Sequence, residues 1–234
     1  MPARHQLLVN GGFYHVFNRG VASLPFFNRD LDYKKFIKIF SFYRFNVPLL
    51  KFSRFSSLPI DLKEKKLEKG RPLVEILAYC LMPNHFHFLL KQVADKGIAQ
   101  FVMRLSDSYA KYFNTRVGRK GPLFEGRFRA VEVDNEQQLL HLSRYVHLNP
   151  YSAFVVKKIE DLFTYPYSSL DEYLRLTGKK ICNTEIVMNS FASNIERYKN
   201  FLVDQADYQQ NLQMIKSQLI DSTPGVDMER RARC

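Results

Sequence analysis

Two histidines separated by one bulky apolar residue, His85-Phe86-His87, are the most informative sign of chemistry in this sequence. They lie in an apolar run with the character of a buried strand. Alternate side chains of a strand share one face, so both imidazoles point the same way and Phe86 points into the core. Two imidazoles on one face can bind one metal ion. Taken alone, the pair is better explained as hydrogen-bonded histidines on a half-buried strand, so the metal hypothesis depends on accompanying residues.

A second set of reactive side chains lies on a predicted helix. Tyr145 and Asn149 are four residues apart and His141 is four residues before Tyr145, a spacing that places all three on roughly one side. Tyr145 could act as a nucleophile. The ordinary alternative is a ring at the edge of the core with its hydroxyl in water. Asn149 could simply end the helix before proline, and His141 and His147 could be surface histidines.

Hydrophobic periodicity predicts the elements that position these residues. In chain order they are a strand over 12–18, a helix carrying Tyr33 to Tyr43, a strand over 73–82, the histidine strand over 85–90, a helix over 98–117, a strand over 128–134 and a helix over 136–148. Asp30 or Asp32 is expected to cap the first helix, and Asn149-Pro150 to stop the last. This order predicts an α+β fold of the ferredoxin-like, split βαβ kind, with an antiparallel sheet and one added helix.

Two further regions are predicted from composition. Residues 51–71 are polar and rich in lysine, which is typical of a solvated loop or short helix. Residues 1–180 are expected to form the main domain and residues 181–234 a small helical C-terminal extension. The basic end of that extension, Arg230-Arg231-Ala232-Arg233, is expected to be disordered.

The overall charge points to a polyanionic partner. The chain has 234 residues, with Lys+Arg 35 against Asp+Glu 23 and a net charge of +12. Nucleic acid is the commonest partner of such a chain, although a generally basic surface is the plain alternative. Three scattered cysteines, Cys80, Cys182 and Cys234, fit a reducing compartment. No apolar leader or membrane-length apolar run is present, so we expect a cytoplasmic protein without a membrane partner.

Candidate DNA contacts concentrate between residues 104 and 129, where seven basic residues face Asp107 and Glu125, a local balance of 7 − 2 = +5. Such a cluster suits phosphate contacts. The basic residues are Arg104, Lys111, Arg116, Arg119, Lys120, Arg127 and Arg129. Phe124, in a glycine-bracketed loop over 118–126, could stack on an unpaired base or pack beneath the loop. Asn18 and Arg19 could contact DNA or only form a turn.

Four blocks of sequence occur in an order that resembles a known family. They are Tyr14-His15-Val16-Phe17-Asn18-Arg19-Gly20, Leu81-Met82-Pro83-Asn84-His85-Phe86-His87, Gly121-Pro122-Leu123-Phe124-Glu125-Gly126-Arg127-Phe128 and Arg144-Tyr145-Val146-His147-Leu148-Asn149-Pro150. Over about residues 13–175 the chain resembles the single-tyrosine transposases with an HUH motif, in which U is hydrophobic, and most closely the REP-associated tyrosine transposases. One departure is visible. Many relatives continue Val-Arg-Ala-Gly after the proline, whereas this chain has Tyr151-Ser152-Ala153-Phe154, so a basic residue is missing there.

The resemblance implies a mechanism and a site. His85, His87 and Asn149 would hold Mg²⁺ or Mn²⁺, and Tyr145 would attack a DNA phosphate to leave a 5′-phosphotyrosine and a free 3′-OH. His141 is a candidate assisting base, and no nucleotide cofactor is needed. The partner would be single-stranded or hairpin DNA, residues 1–180 would be the catalytic domain, and a homodimer is possible.

Two other functions stay open at this point. A non-catalytic nucleic-acid-binding module of the same fold would keep its affinity without Tyr145 and without metal. A metal-dependent nuclease that uses water would cleave DNA without a covalent intermediate. The histidine pair is unexplained by the first alternative, and the tyrosine at its helical offset is unexplained by the second.

Overall fold

The computed structural model of the chain describes residues 7–47, 50–178, 180–204, 206–208 and 210. Its strands are β1 Phe13–Arg19, β2 Phe45–Asn46, β3 Arg71–Pro72, β4 Val74–Met82, β5 His85–Gln92 and β6 Arg129–Val133. Its α-helices are α1 Asp30–Tyr43, α2 Phe52–Ser56, α3 Ile60–Glu68, α4 Gly97–Val117, α5 Glu136–Ser152, α6 Ile159–Leu162, α7 Leu170–Tyr173, α8 Glu185–Met188 and α9 Ile195–Val203. The predicted order of strands and helices is therefore confirmed.

The main sheet has four strands in the order β4-β5-β1-β6, and each neighbouring pair is antiparallel. With the connecting helices α1 and α4, this is the predicted ferredoxin-like arrangement. The short strands β2 and β3 pair separately. Because β5 and β1 occupy the centre of the sheet, the histidine motif lies on a central strand, as predicted.

The two faces of the sheet carry different residues. On one face Phe86 and Phe88 of β5 are fully buried against aromatic residues of α1 and α4, with Phe36 5.3 Å from Phe86 and Phe101 5.7 Å from Phe88 between ring centroids. On the other face, Leu89 of β5 joins an apolar cluster formed mainly by β4, α5 and the helices after it. The alternation of a strand therefore turns the two β5 histidines toward α5, the added helix.

The first helix is capped differently from the prediction. Its N-cap residue is Arg29, and Asp32 lies at the third helical position with its carboxylate 3.1 Å from the backbone N–H of Arg29. The prediction that Asp30 or Asp32 is the N-cap is wrong by a few positions. Asp32 still contributes to the cap, because its carboxylate reaches backward and accepts from the backbone N–H groups of Asn28 and Arg29, just before the first turn.

The prediction that Asn149-Pro150 stops the last helix is also wrong. Helix α5 continues through Pro150 to Ser152. The following chain folds back and contacts this turn, since the N–H of Val155 donates to the Pro150 carbonyl oxygen at 2.9 Å. The same turn is held from a distant part of the chain, since the Tyr151 hydroxyl donates to Asp207 Oδ1 at 3.0 Å. These contacts together outweigh the loss of one hydrogen bond at a proline.

Residues 51–71 form two short helices, α2 and α3, which agrees with the short-helix alternative. The segment is only partly solvated, because Phe52 and Phe55 of α2 are buried. After residue 181, helices α8 and α9 pack on the α5 side of the sheet, and Tyr198 of α9 is fully buried. Residues 211–234, including the predicted basic tail, lie outside the described residues. None of the helices in the described part of the chain is long and apolar enough to cross a membrane.

Candidate functional site

Strand β5 presents the two histidines of the HUH motif on the face toward α5. The His85 and His87 ring centroids are 4.9 Å apart, and the rings are nearly perpendicular. His87 is 5% exposed, whereas His85 lies nearer the end of the strand and is half-buried. Phe86 points to the opposite face and is fully buried, as the strand periodicity predicts.

Helix α5 brings the second set of residues to the histidines. Asn135 is the N-cap of this helix, and its side-chain oxygen accepts from the backbone N–H of Gln138 at 2.8 Å, which determines where the helix starts. The Tyr145 ring centroid lies 5.5 Å from that of His87. One turn later, Asn149 Nδ2 is 3.4 Å from His87 Nε2. The prediction that His85, His87, Tyr145 and Asn149 converge therefore describes the geometry of this chain.

These four side chains line one cavity of about 610 Å³. Its wall also carries three arginines and one glutamate, namely Arg19, Arg127, Arg129 and Glu125. All four of these charged residues are exposed at the surface. An opening with three positive charges against one negative charge favours an anionic ligand, and guanidinium groups pair well with phosphate oxygens.

Burial keeps the histidines of the cavity neutral at physiological pH. It lowers the pKa of His85 to about 4, with a further lowering from the positive charge of Arg19 and an opposing contribution from Asn149. Burial likewise holds the pKa of His87 well below its usual value, with smaller contributions from the neighbouring histidines. Neutral imidazole is the form that binds metal ions.

The pKa of Tyr145 moves in the direction opposite to what a nucleophile needs. Burial raises it, while Asn149 and the charge of Arg19 oppose the rise. Ionisation of the phenol therefore requires added positive charge or a proton acceptor in the cavity.

A divalent metal ion fits the donor atoms that converge here. Within the described residues no group of three or more His, Cys, Asp and Glu side chains could hold a metal ion, so an ion at this site needs Asn149 besides the two histidines. Asn149 places its amide next to His87 Nε2. The oxygen and nitrogen of an amide are interchangeable by rotation, and the rotated amide turns its oxygen toward the histidines. Two imidazoles and one amide oxygen suit Mn²⁺ well and Mg²⁺ acceptably.

The ten predicted DNA contacts divide into two groups. Those that line the cavity are Asn18, Arg19, Arg127 and Arg129. Those outside the cavity wall are Arg104, Lys111, Arg116, Arg119, Lys120 and Phe124. Arg116 is held in the fold, because its guanidinium lies 3.0 Å from the fully buried carboxylate of Asp32. Lys111 and Lys120 are exposed.

Three other members of the second group are already engaged. Arg104 donates to the side chain of Asn46 at 3.0 Å. Arg119 donates to the backbone carbonyl of Pro122 at 2.7 Å and so closes its own loop. Phe124 is 8% exposed and packs edge-on against the Phe26 ring at 5.1 Å, which is the packing alternative considered for it.

His141, the candidate base, does not line the cavity that holds Tyr145. Its Nδ1 accepts a hydrogen bond from Arg144 Nη2 at 2.6 Å, and its ring lies 6.2 Å from that of Phe201. His141 lies one turn before Tyr145, on the part of α5 that contacts Phe201 of α9.

The idea that His147 is a surface histidine is wrong, since its side chain is fully buried. Its Nδ1 is 2.7 Å from the hydroxyl of Tyr198 in α9, and its Nε2 is 2.8 Å from Ser169 Oγ. Arg144 adds a second link from α5 to the same segment by donating to the Phe201 carbonyl at 3.0 Å. The C-terminal helices therefore hold the helix that carries Tyr145 and Asn149.

Sequence reasoning missed His15, which belongs to the same cavity. Its Nε2 lies 2.9 Å from His87 Nδ1, and its ring centroid lies 5.7 Å from that of Tyr145. The signal in the sequence is a histidine inside the apolar run of β1. Its partner could be identified only once the pairing of β1 with β5 was known.

Comparisons with known proteins agree with this geometry. Residues 64–149 match the family model described as IS200-like transposase, a segment that includes both histidines, Tyr145 and Asn149. The fold resembles the solved structure of a REP-associated tyrosine transposase bound to a REP hairpin, with a TM-score of 0.50 and 17% identity over 77% of this chain and 90% of that chain. The resemblance to this family and the predicted fold are thereby confirmed.

Two further comparisons do not bear on the fold or the function of this chain. A tRNA(His) guanylyltransferase from Saccharomyces cerevisiae matches with 14% identity over 82% of each chain, but its TM-score is 0.25. No curated protein matches the chain.

Proposed function

We propose that this chain, with the sequence and fold of a transposase, cleaves single-stranded DNA with the help of a divalent metal ion and transfers the strand through a 5′-phosphotyrosine. The observation that carries the proposal is the convergence of Tyr145, His85, His87 and Asn149 in one arginine-rimmed cavity. A nucleophile, metal ligands and phosphate-binding groups are the parts that this reaction needs.

The metal ligands are assigned to His85, His87 and Asn149. A bound Mg²⁺ or Mn²⁺ would supply positive charge that polarises the scissile phosphate and favours ionisation of the nearby phenol. Arg19, which already opposes the rise of the Tyr145 pKa, acts in the same direction from the protein side. Arg127 and Arg129 are assigned to the phosphates on either side of the cleavage point.

The proposed reaction is balanced within the DNA and the protein. The Tyr145 hydroxyl oxygen attacks phosphorus, the bond between phosphorus and the 3′ oxygen breaks, and the tyrosine proton ends on that 3′ oxygen. One DNA segment keeps a free 3′-OH and the other is joined to the protein. Attack by a 3′-OH on the phosphotyrosine reverses these changes and joins DNA, so no nucleotide cofactor is required.

The chain can assemble this site without a second copy. Tyr145 faces His87 of its own chain, and α5 is held there by α9 of the same chain through His147 and Arg144. We therefore propose that cleavage occurs in cis, with residues 1–180 as the catalytic domain and residues 181–210 bracing it. The proposed location is the cytoplasm.

The proposed substrate is a folded single strand. The REP-associated transposase of similar fold is bound to a hairpin in its solved structure. For the present chain, the net charge of +12 and the arginines of the cavity support an anionic strand that passes over the opening. A hairpin with a short unpaired flank would place the unpaired phosphates at Tyr145.

Denaturing electrophoresis tests this function. The protein is incubated with labelled hairpins from the flanks of its own gene, with Mn²⁺ or with EDTA. Wild type is compared with Tyr145→Phe and with Tyr208→Phe, a matched control at a tyrosine that is 61% exposed. We expect a covalent protein–DNA band with Mn²⁺ in wild type and in the control, and none with EDTA or with Tyr145→Phe.

Two outcomes would point elsewhere. Cleavage without a covalent band would favour the nuclease that uses water. Tight binding of every hairpin with neither cleavage nor a covalent band would favour the binding module.

A further inference from the structure

We propose that His15 is a positioning residue for the metal ligand His87. The inference depends on the proposed function, because it assumes that His87 binds the ion. It starts from a direct contact between two buried imidazoles, in which His15 Nε2 lies 2.9 Å from His87 Nδ1. His15 is 8% exposed and His87 5% exposed, so both rings are largely removed from solvent.

The contact determines which nitrogen of His87 carries hydrogen. A hydrogen bond between two ring nitrogens at 2.9 Å needs a hydrogen on one of them only, so one ring must donate and the other must accept. The other nitrogen of His87, Nε2, faces Asn149 in the cavity and must keep its lone pair free for a metal ion. The hydrogen therefore lies on His87 Nδ1 and is donated to His15 Nε2. A histidine ligand commonly donates its second ring N–H to a neighbour, which sets both its tautomer and its orientation.

The fold gives His15 few alternatives to this position. Strand β1 is paired on both sides, with β5 and with β6, and Phe17 is directly opposite His87 in the register. His15 is thus the diagonal neighbour of His87 on the same face of the sheet. The two rings are nearly parallel, with an interplanar angle of 18° and centroids 5.1 Å apart. The Phe17 ring contacts both imidazoles, 4.9 Å from that of His15 and 5.8 Å from that of His87 between ring centroids.

The proposed role of His15 is not that of a third metal ligand. Its Nε2 is engaged by His87, and the described residues contain no cluster of three His, Cys, Asp or Glu side chains that could hold an ion. Its effect on the reaction therefore passes through the orientation of His87. Loss of such a supporting hydrogen bond lowers metal affinity or activity by about 10–100-fold in known sites.

Two variants separate this role from simple packing. His15→Leu fills the space but accepts no hydrogen bond. His15→Gln places an amide oxygen near the position of Nε2 and can accept from His87. Mn²⁺ affinity is measured without DNA, from the electron paramagnetic resonance signal of free Mn²⁺, and thermal unfolding is recorded for each protein. We expect His15→Leu to bind Mn²⁺ about 10–100-fold more weakly than wild type and His15→Gln to recover most of the loss.

A measurement on wild type keeps the test valid if His15→Leu does not fold. Long-range ¹H–¹⁵N spectra of the imidazoles report the tautomer directly. We expect hydrogen on His87 Nδ1 and a bare Nε2 on His15. The opposite tautomer on His87, or a folded His15→Leu that binds Mn²⁺ as wild type does, would overturn the role of His15 and leave the proposed function standing. A wild type that neither binds Mn²⁺ nor forms the covalent band would overturn the proposed function, and the role of His15 with it.

Discussion

Protonation of His147 is expected to loosen the helix that carries the nucleophile. His147 lies midway between Tyr145 and Asn149 on α5, is fully buried, and contacts only hydroxyl groups through its two nitrogens. Burial lowers its pKa from 6.5 to about 3. The unfolded state takes up the proton more readily than the folded state. The contribution of neutral His147 to the unfolding free energy is therefore fully present above about pH 6.5 and is lost as the pH falls toward about 3.

The size of this effect follows from the two pKa values. At pH 5 an unfolded histidine is almost fully protonated and the buried one is almost fully neutral, which corresponds to a loss of about 2 kcal/mol relative to pH 7.5. Because pH 5 lies well above the folded pKa, this result depends mainly on the unfolded value. For a chain of this length, about 2 kcal/mol corresponds to a change in Tm of about 4–8 °C.

The assay compares wild type with His147→Gln, whose amide can bond the same two hydroxyls but does not titrate. Unfolding free energies are measured in urea at pH 7.5 and pH 5.0 for both proteins. The variant is expected to be less stable at pH 7.5, but its loss on acidification should be smaller than that of wild type by about 2 kcal/mol. Equal losses in the two proteins would refute the reasoning, because they would show that His147 does not contribute to the pH dependence.

Three further predictions concern packing, DNA contacts and metal. Gly97→Ala should lower the unfolding free energy by about 1–3 kcal/mol, because the new methyl group would overlap the carbonyl oxygen of Leu73. Gly178→Ala, which has open space around the glycine, should change the unfolding free energy little, and urea unfolding of both variants checks this. Arg129→Gln should reduce the slope of log affinity against log salt for a single-stranded oligonucleotide by about 0.7 in fluorescence anisotropy, and Lys65→Gln on α3 should leave it unchanged. Mn²⁺ at a hundred times its dissociation constant should stabilise the fold by about 2.7 kcal/mol in dye-based thermal unfolding and EDTA should reverse this; an unchanged Tm would contradict a metal site in the folded chain.

The sequence was sufficient to predict the sheet and the main parts of the site. Strand alternation predicts that His85 and His87 share a face, and helical spacing predicts that Tyr145 and Asn149 do. These are local rules, and the structure obeys them where tertiary contacts act in the same direction. At Pro150 the local rule failed, because the last turn of the helix is also held by a distant residue, Asp207, which accepts from the Tyr151 hydroxyl.

Strand alternation and helical spacing do not predict contacts between distant parts of the chain. His15 is 72 residues from His87, and only the pairing of β1 with β5 brings them together. Arg116 was predicted as a phosphate contact from local charge, yet its guanidinium pairs with Asp32, which is 84 residues away. Charge in a sequence shows that a side chain is basic, but the fold decides whether it faces solvent or a buried carboxylate.

The covalent attachment of Tyr145 to DNA is the step that distinguishes the proposed function from its alternatives. Wild-type protein is incubated with Mn²⁺ and a single-stranded hairpin substrate, the DNA is trimmed with nuclease, and the digested protein is examined by mass spectrometry. We expect a nucleotide-modified peptide whose fragments place the phosphate on Tyr145, together with a DNA product that ends in a free 3′-OH. Modification of another tyrosine, or cleaved DNA with a free 5′-phosphate and no modified peptide, would contradict it.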